Sequence, residues 1–232
     1  MILLPLLAVF AATPLAPACA ASADSAASLC RALAASVSQR FAEAAAEFER
    51  AASSSPPGEA KTQRMLAAAG NMWIAASQPG KAAVALDRAL NGPGLMADQR
   101  GLALLDRARA AEAQGDLKTA RKFATLAAQS AGEDPFTWYF SAALAIREGD
   151  LVTARVAINR ALALAPVDPD ILFEAGHVAA AEGDVSAARR AWERTIATDT
   201  NGPTASAARQ ALSLLDVPLT VTKPAPSSKV AK

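Results

Sequence analysis

Residues 134–199 decide the fold. They read DPFTWYFSAALAIREGDLVTARVAINRALALAPV (134–167) and then DPDILFEAGHVAAAEGDVSAARRAWERTIATD (168–199). Both lines open on Asp-Pro, and their Gly-Asp pairs, Gly149-Asp150 and Gly183-Asp184, stand 34 residues apart. One period earlier comes Gly115-Asp116-Leu117, followed by Ala120 at the same offset as Ala154 and Ala188. A fixed period of this length marks stacked supersecondary units rather than one irregular bundle.

The content of one period predicts a helical hairpin. Trp138, Ala142, Ala145 and Ile146 recur at three- and four-residue spacing, which puts them on one helix face. Gly149 suits the left-handed residue at a helix C-terminus. Asp150 then offers a carboxylate to the free N–H groups of the next helix. That helix turns Ala154, Ile158, Ala161 and Leu162 inward, and Pro166 ends it.

These residues resemble the tetratricopeptide repeat (TPR) family. Its pattern has Trp or Leu at position 4, a small residue at 8, Gly-Asp at 15–16, Ala at 20, a large residue at 24, Ala at 27 and Pro at 32. Residues 135–168 fill it with Trp138, Ala142, Gly149, Asp150, Ala154, Ile158, Ala161 and Pro166. Residues 169–202 supply Leu172, Gly176, Gly183, Asp184, Ala188 and Trp192, then depart with Thr195 and Thr200. Residues 101–134 supply Leu104, Ala108, Gly115, Asp116, Ala120 and Ala127. The resemblance implies an all-α TPR solenoid, a right-handed superhelix of stacked antiparallel hairpins. Extended outward, it gives a degenerate first repeat at 25–58, with Ser38-Gln39 where the glycine belongs, and a second at 59–99. There Gln78-Pro79-Gly80-Lys81 is the expected turn and Ala85 the expected position 20. A capping helix is expected at 203–215, because a terminal repeat has an open side.

Composition agrees with an all-α chain. The sequence is 52% hydrophobic but only 5% aromatic, so its core must come from small aliphatic side chains. Apart from Leu219-Thr220-Val221-Thr222, nothing alternates like a strand. Net charge is +1 with no basic block, which argues against nucleic acid and anionic membranes as partners.

Residues 1–20 carry no charged side chain and end in Ala18-Cys19-Ala20. This is the pattern of an export signal cleaved before Ala21, although the usual basic start is missing. A lipid on Cys19 is the alternative, and a cytoplasmic or anchored protein the third reading. Proline at 5, 14 and 17 argues against a membrane-spanning helix. Cleavage before Ala21 would leave Cys30 as the single thiol, read as a small buried residue. Residues 21–27 are expected to be a loose mature N-terminus. The tail 216–232, rich in Pro, Ser and Lys, is expected to be disordered.

Chemistry is sparse. His177 is the one histidine, with Phe173 and Ala181 as its i−4 and i+4 neighbours and no titratable partner expected beside it. No metal, phosphate-loop or nucleophile motif occurs, so no catalytic residue and no cofactor are expected. What remains is binding. The resemblance implies a concave groove lined by positions 2, 5, 9, 12 and 13 of each first helix. It places Leu102, Leu105 and Arg109, then Phe136, Tyr139 and Arg147, then Phe173 and His177 in that groove. The partner would be an extended or helical segment of another protein, in a periplasmic process. The alternative is a subunit packed permanently in a larger envelope complex or a homodimer.

Overall fold

The computed structural model describes residues 19–56 and 59–215. Most of the expected leader, the tail 216–232 and the strand-like 219–222 lie outside the described residues. The chain divides after Ala131 into two compact units.

The first unit holds α1 (Ser25–Val37), α2 (Phe41–Ser53), α3 (Ala60–Ala75), α4 (Pro79–Leu90), α5 (Ala97–Ala113) and α6 (Leu117–Ser130). The second holds α7 (Pro135–Arg147), α8 (Leu151–Leu164), α9 (Pro169–Ala181), α10 (Val185–Thr198) and α11 (Pro203–Leu215). No strand occurs among the described residues. Within each unit consecutive helices pack as antiparallel hairpins, and each hairpin rests on the next.

All five hairpins share one turn. A left-handed residue follows the first helix: Gln39, Ser77, Gly115, Gly149 and Gly183, with φ of 57°, 57°, 79°, 75° and 82°. The next N–H reaches back to a carbonyl five residues earlier, at 2.9–3.0 Å, in Arg40–Ala35, Gln78–Trp73, Asp116–Ala111, Asp150–Ala145 and Asp184–Ala179. These bonds satisfy carbonyls that the helix end leaves open. Three turns add a side-chain cap: Asp116, Asp150 and Asp184 accept from the N–H of Thr119, Thr153 and Ala187. Arg40 and Gln78 make no such bond.

The turns correct the register of the second repeat. The left-handed residue is Ser77, not Gly80, which lies inside α4. Pro79 is why: its fixed φ and missing N–H suit the first position of a helix, so α4 starts there. Position 20 is therefore Ala82 rather than Ala85, although both are fully buried. Left-handed residues are 38 apart in the first two intervals (39 to 77 to 115) and 34 apart thereafter.

Small residues at the helix crossings close the core. Ala44, Ala82, Ala120, Ala154 and Ala188 are all inaccessible to solvent. Gly176 is demanded by close approach, since a Cβ there would stand 2.1 Å from the Trp192 indole nitrogen. Trp192 also donates from Nε1 to the Phe173 carbonyl at 3.0 Å, which fixes the ring across α9. Gly70 faces Leu86 in the same way, 2.3 Å from a built Cβ to the Leu86 branch carbon. Helix α11 covers α10 through Ala188, Trp192 and Ala208, with Leu212 and Leu215 at the edge.

The start of the chain differs from expectation. Cys19 and Cys30 form a disulfide, so Cys30 is neither a lone thiol nor a fully buried one. Residues 21–27 are not loose. Asp24 caps α1 by accepting from the Ala27 N–H at 2.8 Å, and the helix begins at Ser25. Arg31 donates to the Ala20 and Ser22 carbonyls, at 2.6 and 3.0 Å, and pairs with Glu47 of α2 at 3.0 Å.

Two side-chain replacements separate crossing positions from exposed helix. Ala188→Leu should overpack the α9–α10 crossing and cost about 1–3 kcal/mol in urea unfolding. Ala181→Leu, on an exposed site of α9, should shift stability by less than about 0.5 kcal/mol. Ala205, on α11, is fully buried and so belongs with the packed positions rather than the exposed ones. Equal losses for Ala188→Leu and Ala181→Leu would show that the crossing is not tight.

Candidate functional site

In the second unit the first helix of each hairpin presents positions 2 and 5 on one surface. Helix α7 gives Phe136 and Tyr139, α9 gives Asp170 and Phe173, and α11 gives Thr204 and Ala207. Tyr139, Asp170, Phe173, Pro203, Thr204 and Ala207 line an open pocket of about 310 Å³. The register explains the convergence. Pro135, Pro169 and Pro203 each open a helix at 34-residue spacing, so equivalent side chains fall in line. Helix α11 is therefore built like the first helix of a further repeat.

An aromatic row runs through this surface. The Phe136 and Tyr139 rings lie 5.3 Å apart, and Phe136 is 42% exposed. Phe173 meets His177 edge-on at 4.4 Å, and His177 meets Trp192 at 5.7 Å. Such tilted and edge-to-face contacts are favourable and hold each ring at a fixed angle. The floor is apolar, and Asp170 stands at the rim, where it accepts from the Thr204 hydroxyl.

His177 has a partner that helical i±4 spacing does not show. Glu174, at i−3 and nearly buried, places Oε2 3.2 Å from His177 Nδ1. The expectation of no titratable neighbour is thus corrected: three residues back lies on the same helix face as four. Arg147 is exposed at the end of α7.

The first unit treats its three expected groove residues differently. Leu102 is 54% exposed, but Leu105 is 4% exposed and belongs to the core. Arg109 turns onto Asp106 at 3.0 Å, and Asn71 of α3 donates to the other oxygen of the same carboxylate at 2.8 Å. Nothing in the sequence marks Asn71 or Asp106, a lone carboxylate at position 6 of the repeat 101–134. Burial pushes the Asp106 carboxyl above the ordinary aspartate range, against the pull of Asn71 and Arg109. Arg109, a third exposed, is thereby paired with a carboxylate of its own helix.

The sequence matches no protein-family description. It also matches no curated protein. Its fold does have known counterparts. PilW, described as a widely conserved type IV pilus biogenesis factor, superposes with a TM-score of 0.66 at 18% identity, over 79% of this chain and 81% of its own. PilF of Pseudomonas aeruginosa gives 0.67 at 14% identity, over 82% of each chain. YrrB, described as a TPR protein with an unusual peptide-binding site, gives 0.60 at 16% identity, over 81% of this chain and 93% of its own. The fold is that of the tetratricopeptide repeat proteins.

Asp106 carries a testable pH signature. Its folded-state affinity for a proton is raised, so its contribution to stability is fully present below the ordinary aspartate pKa. That contribution is lost as pH rises through the raised folded value. Asp106→Asn removes the titration while keeping a carbonyl for Asn71. The melting temperature of the parent minus that of Asp106→Asn should therefore fall as pH rises from acid through the carboxylate range. A difference that stays flat or climbs would contradict the burial of this carboxylate.

Proposed function

We propose that this protein is a non-enzymatic adaptor that grips a segment of another protein on the Tyr139–Phe173 surface. The observation that carries the reading is the alignment of Phe136, Tyr139 and Phe173 at repeated positions beside an open apolar pocket. Aromatic side chains there offer buried area at small entropic cost, and the exposed rim of Asp170 can select an amide or basic group. Apolar anchors at regular spacing suit a helical segment or an extended one. The likeness to YrrB, described as having a peptide-binding site, supports a peptide as the occupant.

The same reading places the protein outside the cytoplasm, as an exported periplasmic chain. It is supported by the uncharged apolar start of the sequence, by the disulfide, and by the likeness to PilW, described as a pilus biogenesis factor. No helix among the described residues is long and apolar enough to cross a membrane.

A second reading rests on a different surface. Val152 and Val156 of α8 are largely exposed and, with Leu151, Arg155 and Glu182, line a shallow apolar depression. This favours a subunit packed in a larger envelope complex or a homodimer, since free monomers seldom leave such patches open.

The test is a capture experiment followed by titration. A photoreactive side chain at Phe136 should cross-link the partner in envelope extracts. Calorimetry with that partner should then show Tyr139→Ala weakening affinity about 30-fold, or about 2 kcal/mol. Glu193→Ala, exposed on α10, should leave affinity unchanged. Unchanged affinity for Tyr139→Ala, with helix content intact, would remove this surface from the binding role. Transfer of binding loss to Val152→Asp would favour the second reading.

A further inference from the structure

The N-terminal strap carries information about how the chain is processed. Cys19 is bonded to Cys30 of α1, with Cα atoms 5.7 Å apart. The next residues are also fastened. Arg31 donates to the Ala20 and Ser22 carbonyls, Ser54 of the α2 end donates to the Ala23 carbonyl at 3.2 Å, and Asp24 caps α1. The segment from Cys19 to Asp24 is thus held to both helices of the first hairpin. Removal of Cys19 and Ala20 would delete the disulfide and one of the two carbonyls that seat Arg31.

We infer that the mature chain retains Cys19 in a disulfide with Cys30, so that leader cleavage falls after Ala18 and Cys19 carries no lipid. The inference rests on the exported reading given above. The sequence offers the required site: Ala16-Pro17-Ala18 has the same small-x-small spacing as Ala18-Cys19-Ala20, two residues earlier. Cleavage there yields Cys19 as the first residue. Cleavage before Ala21 would discard half of the bridge. A lipoprotein anchor is excluded by valence, because a sulfur in a disulfide cannot also form the thioether to diacylglycerol.

The oxidation balances as a thiol–disulfide exchange. A protein disulfide oxidant of the extracytoplasmic compartment is the acceptor. The Cys30 or Cys19 thiolate attacks its disulfide, and a mixed disulfide forms as one sulfur leaves. The second thiolate then displaces the remaining oxidant sulfur. Two protons and two electrons leave the pair, and the oxidant ends as a dithiol.

The experiment is intact-mass and top-down mass spectrometry of the full-length gene product, purified from the envelope of a bacterial host. The expected species begins at Cys19 and gains about 2 Da on reduction, as two hydrogens are added. Both cysteines should then alkylate only after reduction. In Cys30→Ser the freed thiol should be labelled by maleimide on the Cys19 peptide. A mature start at Ala21, or a diacylglyceryl mass on Cys19, would overturn the inference and leave export standing. An intact Met1 with two free thiols in the cytoplasmic fraction would overturn export and the inference together.

Discussion

Close approach of two helix backbones is the constraint on which each unit depends. With few aromatics available, burial has to come from many small contacts, and small contacts work only when helix axes lie near one another. Ala44, Ala82, Ala120, Ala154 and Ala188 meet that requirement, each with no solvent-accessible surface. Gly70 and Gly176 go further and admit a large residue from the partner helix, Leu86 and Trp192. The Trp192 ring then reaches across to the Phe173 carbonyl and touches His177. Core packing and the aromatic surface are therefore one construction in the second unit. The same crossing that seats Trp192 sets the angle at which Phe173 meets the pocket.

The sequence was most informative where the turn chemistry is ordinary. Gly115, Gly149 and Gly183, each followed by aspartate, announce a left-handed residue and a cap, and the helices start and stop accordingly. It was least informative where a non-glycine residue accepts the same conformation. Ser77 at φ 57° gives no signal, whereas Gly80, three residues on, gives a misleading one. The proline between them settled the matter, because a helix opens readily on proline.

Site residues divide in a similar way. Position 5 is legible as surface in α7 and α9, where Tyr139 and Phe173 line a pocket. In α5 the same position holds Leu105, which is buried in the core. A pattern fixes which side chains share a face; it does not fix how far the neighbouring helix covers that face. Contacts between elements distant in sequence were invisible for the same reason. Asn71 reaches Asp106 across 35 residues, and Cys19 bonds to Cys30 across 11.

The shared turn has a consequence for the order in which the chain acquires structure. Each hairpin closes through neighbours in sequence, so loop closure costs little entropy and formation can begin at several points. The hairpins are not equal starting points. Those at Gly115, Gly149 and Gly183 enter the left-handed region freely and gain an aspartate cap, which lowers the barrier to a first helical nucleus. Those at Gln39 and Ser77 must force a side-chain-bearing residue into that region, at about 1 kcal/mol or more, and have no cap. In the first unit structure is therefore expected to spread from the hairpin at Gly115 toward the two earlier ones, an order that pulsed amide exchange reads directly. The Cys19–Cys30 bridge lies at the end reached last, where a covalent tie compensates for the weakest local encouragement to fold.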